Sequence, residues 1–329
     1  MARVALLSNP RSTGNRSLLP QVRSLCAEHK DIFHYEVEHV DQIGTALKTI
    51  ARVKPKVLVI NGGDGTVQAA LTELHHGGHF GGPHYKDGPP PVAVLPNGKT
   101  NLIALDLGAS GDPIEALKRV LELARTDMAP HIVSRELIQL SDGTVGARPV
   151  LGMFLGGAGL ADTILYCRHK IYPLGLPNSL SHMLTAMAAI IAILFGVRAG
   201  FLPPVPAPVK VSVLKHGEWQ GQFALLMVTT LQRLLLNGRM PAAGHPLGAM
   251  QMMAIEGTPG VLFPPLVAAL RGRLWRSRVT GVHLERGDEI RIEGDHSSVI
   301  LDGELFEACV DRPIVLKPTA PVPFLRLAA

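Results

Sequence analysis

The sequence predicts an α/β domain built on a parallel sheet, followed by a β-rich antiparallel domain with helical inserts. Three observations carry that reading. Over the first hundred residues, runs apolar on both faces, such as 56–60 (KVLVI) and 91–95 (PVAVL), alternate with helical patterns. Beyond residue 130 the texture changes to short strand-like runs separated by Gly, Pro and Asp. The chain has 329 residues, 47% of them hydrophobic and 18% charged, which is enough for two cores.

The first strand, 3–8 (RVALLS), stops at Asn9-Pro10, where proline cannot donate to a ladder. Helix 16–29, strand 33–40, helix 42–53, strand 56–60, helix 66–75 and strand 91–95 follow. Segment 76–91 (HGGHFGGPHYKDGPPP) reads as a solvated loop, because glycine and proline give its histidines no rigid scaffold for a metal. Helices 101–107 and 113–126 complete the first domain. Strand-like segments are then 132–140, 145–156, 208–215, 222–229, 249–255, 279–284, 289–293 and 298–302, interrupted by helical inserts 179–197 and 261–275. The expected units are 1–130 and 131–312, with a tail, 313–329, packing back on the first.

Composition narrows the partners. A net charge of +5 favours anionic ligands or surfaces without choosing among them. Cys26, Cys167 and Cys309 are few, odd in number and free of any CxxC spacing, so a reducing cytosol is expected. The N-terminal apolar run is too short for a signal peptide. The uncharged run 183–197 falls short of the roughly 20 residues that span a bilayer core, so it reads as a buried or interface-seeking helix.

Two glycine-bearing stretches carry the chemistry. Asn61-Gly62-Gly63-Asp64-Gly65-Thr66 follows the strand KVLVI and precedes a helical pattern. Glycines there permit positive φ and close backbone approach, and successive N–H groups at a helix start make an anion nest. Thr66 suits an N-cap. Asp64 would repel phosphate unless a cation lies between them, and Mg²⁺ takes oxygens from both. The second stretch, 92–102 (VAVLPNGKTNL), fits a loose Walker A pattern from Ala93 to Gly98-Lys99-Thr100. Val94 and Leu95 complete a strand, however, and Pro96 has no N–H to donate, so the segment makes a poor phosphate cradle.

The order of four motifs resembles the diacylglycerol kinase catalytic-domain superfamily, which includes bacterial lipid kinases, sphingosine kinases and ceramide kinases. Ser8-Asn9-Pro10-Arg11-Ser12-Thr13-Gly14 resembles the NPxSG loop and Asn61–Thr66 the nucleotide loop. Pro96-Asn97-Gly98-Lys99-Thr100-Asn101, continuing to Leu107-Gly108, resembles PxGTxNDxAxxLG, with Lys99 where threonine is usual. Leu301-Asp302-Gly303-Glu304 resembles the late DGE triplet. The resemblance implies a Rossmann-like parallel sheet of the NAD-kinase and phosphofructokinase kind, a β-rich sandwich carrying a lipid pocket, and ATP with Mg²⁺ as cofactors. The implied nucleotide contacts are Asn9, Gly62, Gly63, Asp64, Gly65, Thr66, Gly98, Lys99, Thr100 and Asn101, with Asp64 also linked to the metal. Lys99 or Thr100 would face the nucleotide. The implied catalytic carboxylates are Asp64, Asp302 and Glu304, with Asp302 or Glu304 as base, and the roles of the three remain interchangeable at this point. If Asp302 and Glu304 shared one strand they would face the same side, although Asp-Gly is also a common turn pair. The family's Asp-Asp-Gly segment, tied to a structural magnesium site, corresponds here to 244–250 (GHPLGAM), which has no carboxylate.

The expected activity is therefore ATP-dependent phosphorylation of a lipid hydroxyl, on diacylglycerol or a ceramide-like or sphingoid lipid. The alternatives are an NAD kinase-like enzyme and a non-catalytic lipid- or nucleotide-binding regulator. Phe154–Gly159 (FLGGAG) would line the lipid pocket. Segment 261–275 running into Arg271, Arg273, Arg276 and Arg278 beside Trp275 suits an acidic membrane surface. The expected location is cytoplasmic and peripheral at the inner face of the membrane, with no nucleic-acid partner.

Overall fold

A computed structural model describes residues 3–328 apart from 82–84, 86–87, 99, 145, 197–200, 233–247, 271–278, 296 and 310. Strands β1 (Val4–Ser8), β2 (Ile32–Glu36), β3 (Val57–Asn61) and β4 (Val92–Val94) are parallel in the order β2-β1-β3-β4. Helices α1 (Asn15–Glu28), α2 (Ile43–Val53), α3 (Asp64–His76), α4 (Leu102–Asp106) and α5 (Pro113–Arg125) connect and cover them. Every residue of β1 and β3 is buried, which explains why neither shows polar alternation. Strand β5 (Ile132–Arg135) lies at the far edge of this sheet.

The remaining strands form one eleven-stranded antiparallel sheet. They are β6 (Ile138–Ser141), β7 (Val150–Gly152), β8 (Phe154–Gly157), β9 (Pro208–Val213), β10 (Gly217–Thr229), β11 (Met250–Glu256), β12 (Val282–Gly287), β13 (Ile290–Gly294), β14 (Ser297–Leu301), β15 (Glu304–Ala308) and β16 (Ile314–Pro318). Its path runs β15-β14-β8-β10-β9-β13-β16-β6-β7, with β11 on β10 and β12 on β11. The last strand, β17 (Val322–Leu325), returns to the first sheet between β4 and β5, parallel to the former and antiparallel to the latter.

Several elements differ from the sequence expectation. Segment 132–140 is two strands in two sheets, and 145–156 is interrupted at Met153. A helix the periodicity missed, α6 (Gly159–Tyr166), follows β8 and runs through a π-helical turn at Cys167–Ile171 towards α7 (Asn178–Phe195). The second insert contains α8 (Pro259–Leu270). Among the described residues no helix is long and apolar enough to cross a membrane. The arginine-rich stretch 271–278 and most of the segment matched to Asp-Asp-Gly lie outside the described residues.

Candidate active site

Three loops leave the C-terminal ends of β1, β3 and β4 side by side, the usual ligand edge of an open parallel sheet. A buried asparagine from each loop ties them together. Asn97 Nδ2 donates to Asn61 Oδ1 at 2.7 Å and to Asn15 Oδ1 at 2.5 Å. Asn15 Nδ2 donates to the carbonyls of Asn9 and Asn61 at 2.7 and 3.0 Å. The network needs Gly14, since a β-carbon there would sit 1.8 Å from Asn97 Oδ1.

The loop 61–66 is shaped otherwise than its composition suggests. None of Gly62, Gly63 and Gly65 has positive φ, and α3 begins at Asp64 with Gly63 as its N-cap. Thr66 is therefore not the cap; it lies inside the first turn, buried, with its Oγ1 accepting from Asn9 Nδ2 at 2.9 Å. The glycines are required for space. A β-carbon on Gly62 would meet the Thr66 side chain at 2.7 Å, and one on Gly65 would meet Glu304 Oε1 at 2.7 Å. At Gly63 nothing lies within 4 Å, so backbone and helix N-terminus face open cavity, as phosphate binding requires. Asp64 joins this loop to the next one: its Oδ2 accepts from Thr100 Oγ1 at 2.6 Å.

The third glycine segment bends back on itself. Asn101 precedes α4 at φ 53° and accepts from the Gly98 N–H at 2.6 Å, closing the loop rather than capping the helix. Residues 92–94 are strand and Leu95 is buried, which leaves no phosphate-wrapping stretch and rules out a Walker loop. Lys99 lies outside the described residues.

From the other sheet comes a hairpin. Asp302 (φ 43°) and Gly303 (φ 101°) form a two-residue left-handed turn between β14 and β15, the conformation for which Asp-Gly is suited. Asp302 and Glu304 therefore do not share a strand: of the two geometries the sequence left open, the Asp-Gly turn is the one formed. Met153 N–H donates to Asp302 Oδ2 at 2.8 Å and Phe154 N–H to its Oδ1 at 3.0 Å, so both oxygens clamp the hairpin to the start of β8. Burial pushes this carboxyl up to about 7, against the two N–H donors and helped by the charge of Asp64. Glu304 is exposed, and its carboxylate makes no hydrogen bond or ion pair among the described residues. It reaches across to the first turn of α3, where Gly65 makes room for it.

These pieces enclose a cavity of about 880 Å³. Asn9, Gly63, Asp64, Gly65, Thr66, Gly98, Thr100, Asp302 and Glu304 line it; Gly62 and Asn101 do not, because their roles are to shape the loops. The apolar wall includes Leu102, Ile103, Phe154, Ile164 and Ile300. Sequence reasoning missed Arg168, Tyr172 and His182 at the cavity edge, because no motif surrounds them and they reach the cavity only through the path of α6 and α7. It also missed the role of Asn15, whose signal was a buried polar residue opening an apolar helix face.

The donor set fits magnesium carried by a nucleotide. No group of three or more His, Cys, Asp or Glu able to hold an ion occurs among the described residues. A metal beside Asp64 would take most of its oxygens from phosphate and water, as magnesium does.

Comparison with known proteins bears on this arrangement. Residues 3–130 match the family model of the diacylglycerol kinase catalytic domain. The glycine loops and asparagine network described above all fall within the matched residues. No curated protein matches the chain. Among solved structures, one described as a "putative diacylglycerol kinase" from Bacillus anthracis str. Sterne aligns with 16% identity and TM-score 0.63, covering 97% of this chain and 94% of its own. A diacylglycerol kinase from the same strain aligns with 14% identity and TM-score 0.57, covering 98% and 96%. At these identities the likeness establishes the fold across both domains and leaves the substrate open.

Proposed function

We propose that the chain is an ATP-dependent lipid kinase that phosphorylates the free hydroxyl of a membrane lipid such as diacylglycerol or a ceramide-like or sphingoid lipid. The observation that carries this reading is the single cavity joining a helix-start glycine loop, a carboxylate-bearing hairpin and an apolar wall. Phosphoryl transfer asks the protein mainly to position and to stabilise charge. The N–H groups at the start of α3 receive the phosphates, and Asp64 would hold the metal that accompanies them. Magnesium, when bound, neutralises the charge on the phosphate oxygens. Glu304 accepts the hydroxyl proton, being a carboxylate with no partner among the described residues, open to the cavity and set against the phosphate loop. Asp302 holds the hairpin in place, because its two oxygens are already engaged by backbone donors. The apolar wall takes the lipid chains.

A membrane surface is the proposed source of the substrate. Helix α7 exposes Met183, Met187, Ile191 and Phe195, the last at 74%, while His182 at its start lines the cavity. Lys170, exposed on the π-turn before it, adds a cation of the kind an anionic headgroup layer attracts. The test is a lipid panel assayed with Mg²⁺ and labelled ATP, with mass spectrometry of the product and NAD as a further acceptor. A phosphorylated lipid is expected; transfer to NAD alone, or to nothing, overturns the reading.

A further inference from the structure

We infer that Arg168 is a catalytic residue whose guanidinium holds the transferring phosphoryl group from the acceptor side. The assignment rests on the kinase reading above and extends it to a residue outside every motif of the sequence. Arg168 sits in the π-helical turn that follows α6, an irregularity that often marks functional positions, and it lines the cavity. A β-carbon on Gly303 would lie 3.4 Å from Arg168 Nη2 and 4.0 Å from the β-carbon of Asp64. The guanidinium therefore lies at the tip of the hairpin, across from the phosphate loop. Gly303, with neither side chain nor ordinary φ, leaves the space between them open.

The electrostatics of that position are unusual. Asp64, Asp302 and Glu304 all line the same cavity, yet Arg168 makes no ion pair or hydrogen bond among the described residues. The other arginine at the cavity, Arg11, has its Nη1 3.3 Å from His39 Nδ1. Arg168 is thus the described arginine that lies beside the carboxylates without engaging one. A planar fork of N–H donors in this place matches the non-bridging oxygens of a phosphoryl group in flight. In the step itself the lipid oxygen forms a bond to the γ-phosphorus as the bond from that phosphorus to the β–γ bridging oxygen breaks. The electron pair leaves with ADP, and the hydroxyl proton passes to Glu304. Arg168 forms no covalent bond; it donates hydrogen bonds that strengthen as charge spreads over the equatorial oxygens.

The test compares wild type with Arg168→Ala and Arg168→Lys on the best lipid of the panel. Arg168→Ala is expected to lower kcat about 100- to 1,000-fold, with the KM values for ATP and lipid within about threefold. Arg168→Lys should fall between, since it keeps the charge and loses the fork. Wild type should also bind ADP with aluminium fluoride far more tightly than Arg168→Ala does, while both bind ADP alone equally. An unchanged kcat in Arg168→Ala, or a raised lipid KM with kcat intact, overturns this assignment and leaves the kinase reading standing. Absence of phosphotransfer by wild type to every lipid removes the kinase reading itself.

Discussion

Gly65→Ala separates catalysis from stability at one atom. A β-carbon at Gly65 would lie 2.7 Å from Glu304 Oε1, whereas an ordinary contact begins near 3.4 Å, so the carboxylate must retreat by about 0.7 Å. The end of a glutamate side chain can make that move cheaply. The backbone at residue 65 is helical, so alanine there is favoured over glycine by up to about 1 kcal/mol. Melting temperature should hold or rise by about 1–2 °C, while displacement of the proposed base by about 0.7 Å should cost about 10- to 100-fold in kcat. Thermal unfolding and initial-rate kinetics on the same preparation measure both. A variant that is stable and fully active would show that Glu304 does not act from its place against the phosphate loop.

Further expectations concern the carboxylates, the asparagine network and the exposed apolar row of α7. Glu304→Gln should lower kcat by about 10²–10⁴ without changing urea stability, measured by steady-state kinetics and denaturation. Asp302 has its carboxyl raised from 3.8 to about 7, so between those values the folded chain holds a proton that the unfolded chain has released. Its contribution should accordingly weaken as pH rises from 4 to 7, by on the order of 4 kcal/mol at most, and level off above; Asp302→Asn should flatten that slope in urea titrations at pH 5 and 8. Asn97→Ala leaves Asn15 Oδ1 and Asn61 Oδ1 without their donor and should cost about 1–3 kcal/mol in urea denaturation. Replacing Met187 and Phe195 together by glutamate should lower binding to anionic vesicles at least tenfold in flotation assays, given about 1.5–3 kcal/mol for each buried side chain, with kcat on a short-chain soluble lipid retained.

How much of this was legible beforehand depends on whether a feature was local. The parallel strands were readable because burial on both faces leaves a continuous apolar run, as in VLVIN. The loops at 61–66 and 96–101 were readable as a site because glycine, asparagine and aspartate cluster where strands end. Their internal geometry was not readable, since the reason for Gly65 is a glutamate far along the chain and the reason for Gly14 is an asparagine on another loop. The turn at Asp302-Gly303 shows a related limit. Asp-Gly signalled a hairpin, and a turn reading was set against a functional one; the structure makes the turn the means by which both carboxylates reach the cleft from different sides of it. Arg168 had no local signal, because its significance comes only from where α6 and its π-turn end in space.

The two sheets also meet in a way that constrains how substrate enters. Helix α3 starts at the phosphate loop, and the same helix grips the second sheet. Gln68 Nε2 donates to the Leu301 carbonyl at 2.6 Å, buried, one residue before Asp302. Thr72 Oγ1 accepts from the Leu151 N–H at 3.0 Å, and His76 Nε2 lies 3.0 Å from the Pro149 carbonyl. Swinging the domains apart at this face would strand a buried amide and carbonyl, at about 1–3 kcal/mol for each unpaired group. The distance from Asp64 to the hairpin is therefore held by bonds on one helix rather than set anew each time ligand binds. The wall formed by α6 and α7, which carries Ile164 and His182, shares none of these bonds to α3. Gln68→Ala tests the division: loosening the α3 contact should lower kcat by moving the hairpin, while the KM of the proposed lipid acceptor stays within about threefold. A variant with unchanged kcat would show that the Gln68 bond does not fix the carboxylates against the phosphate loop.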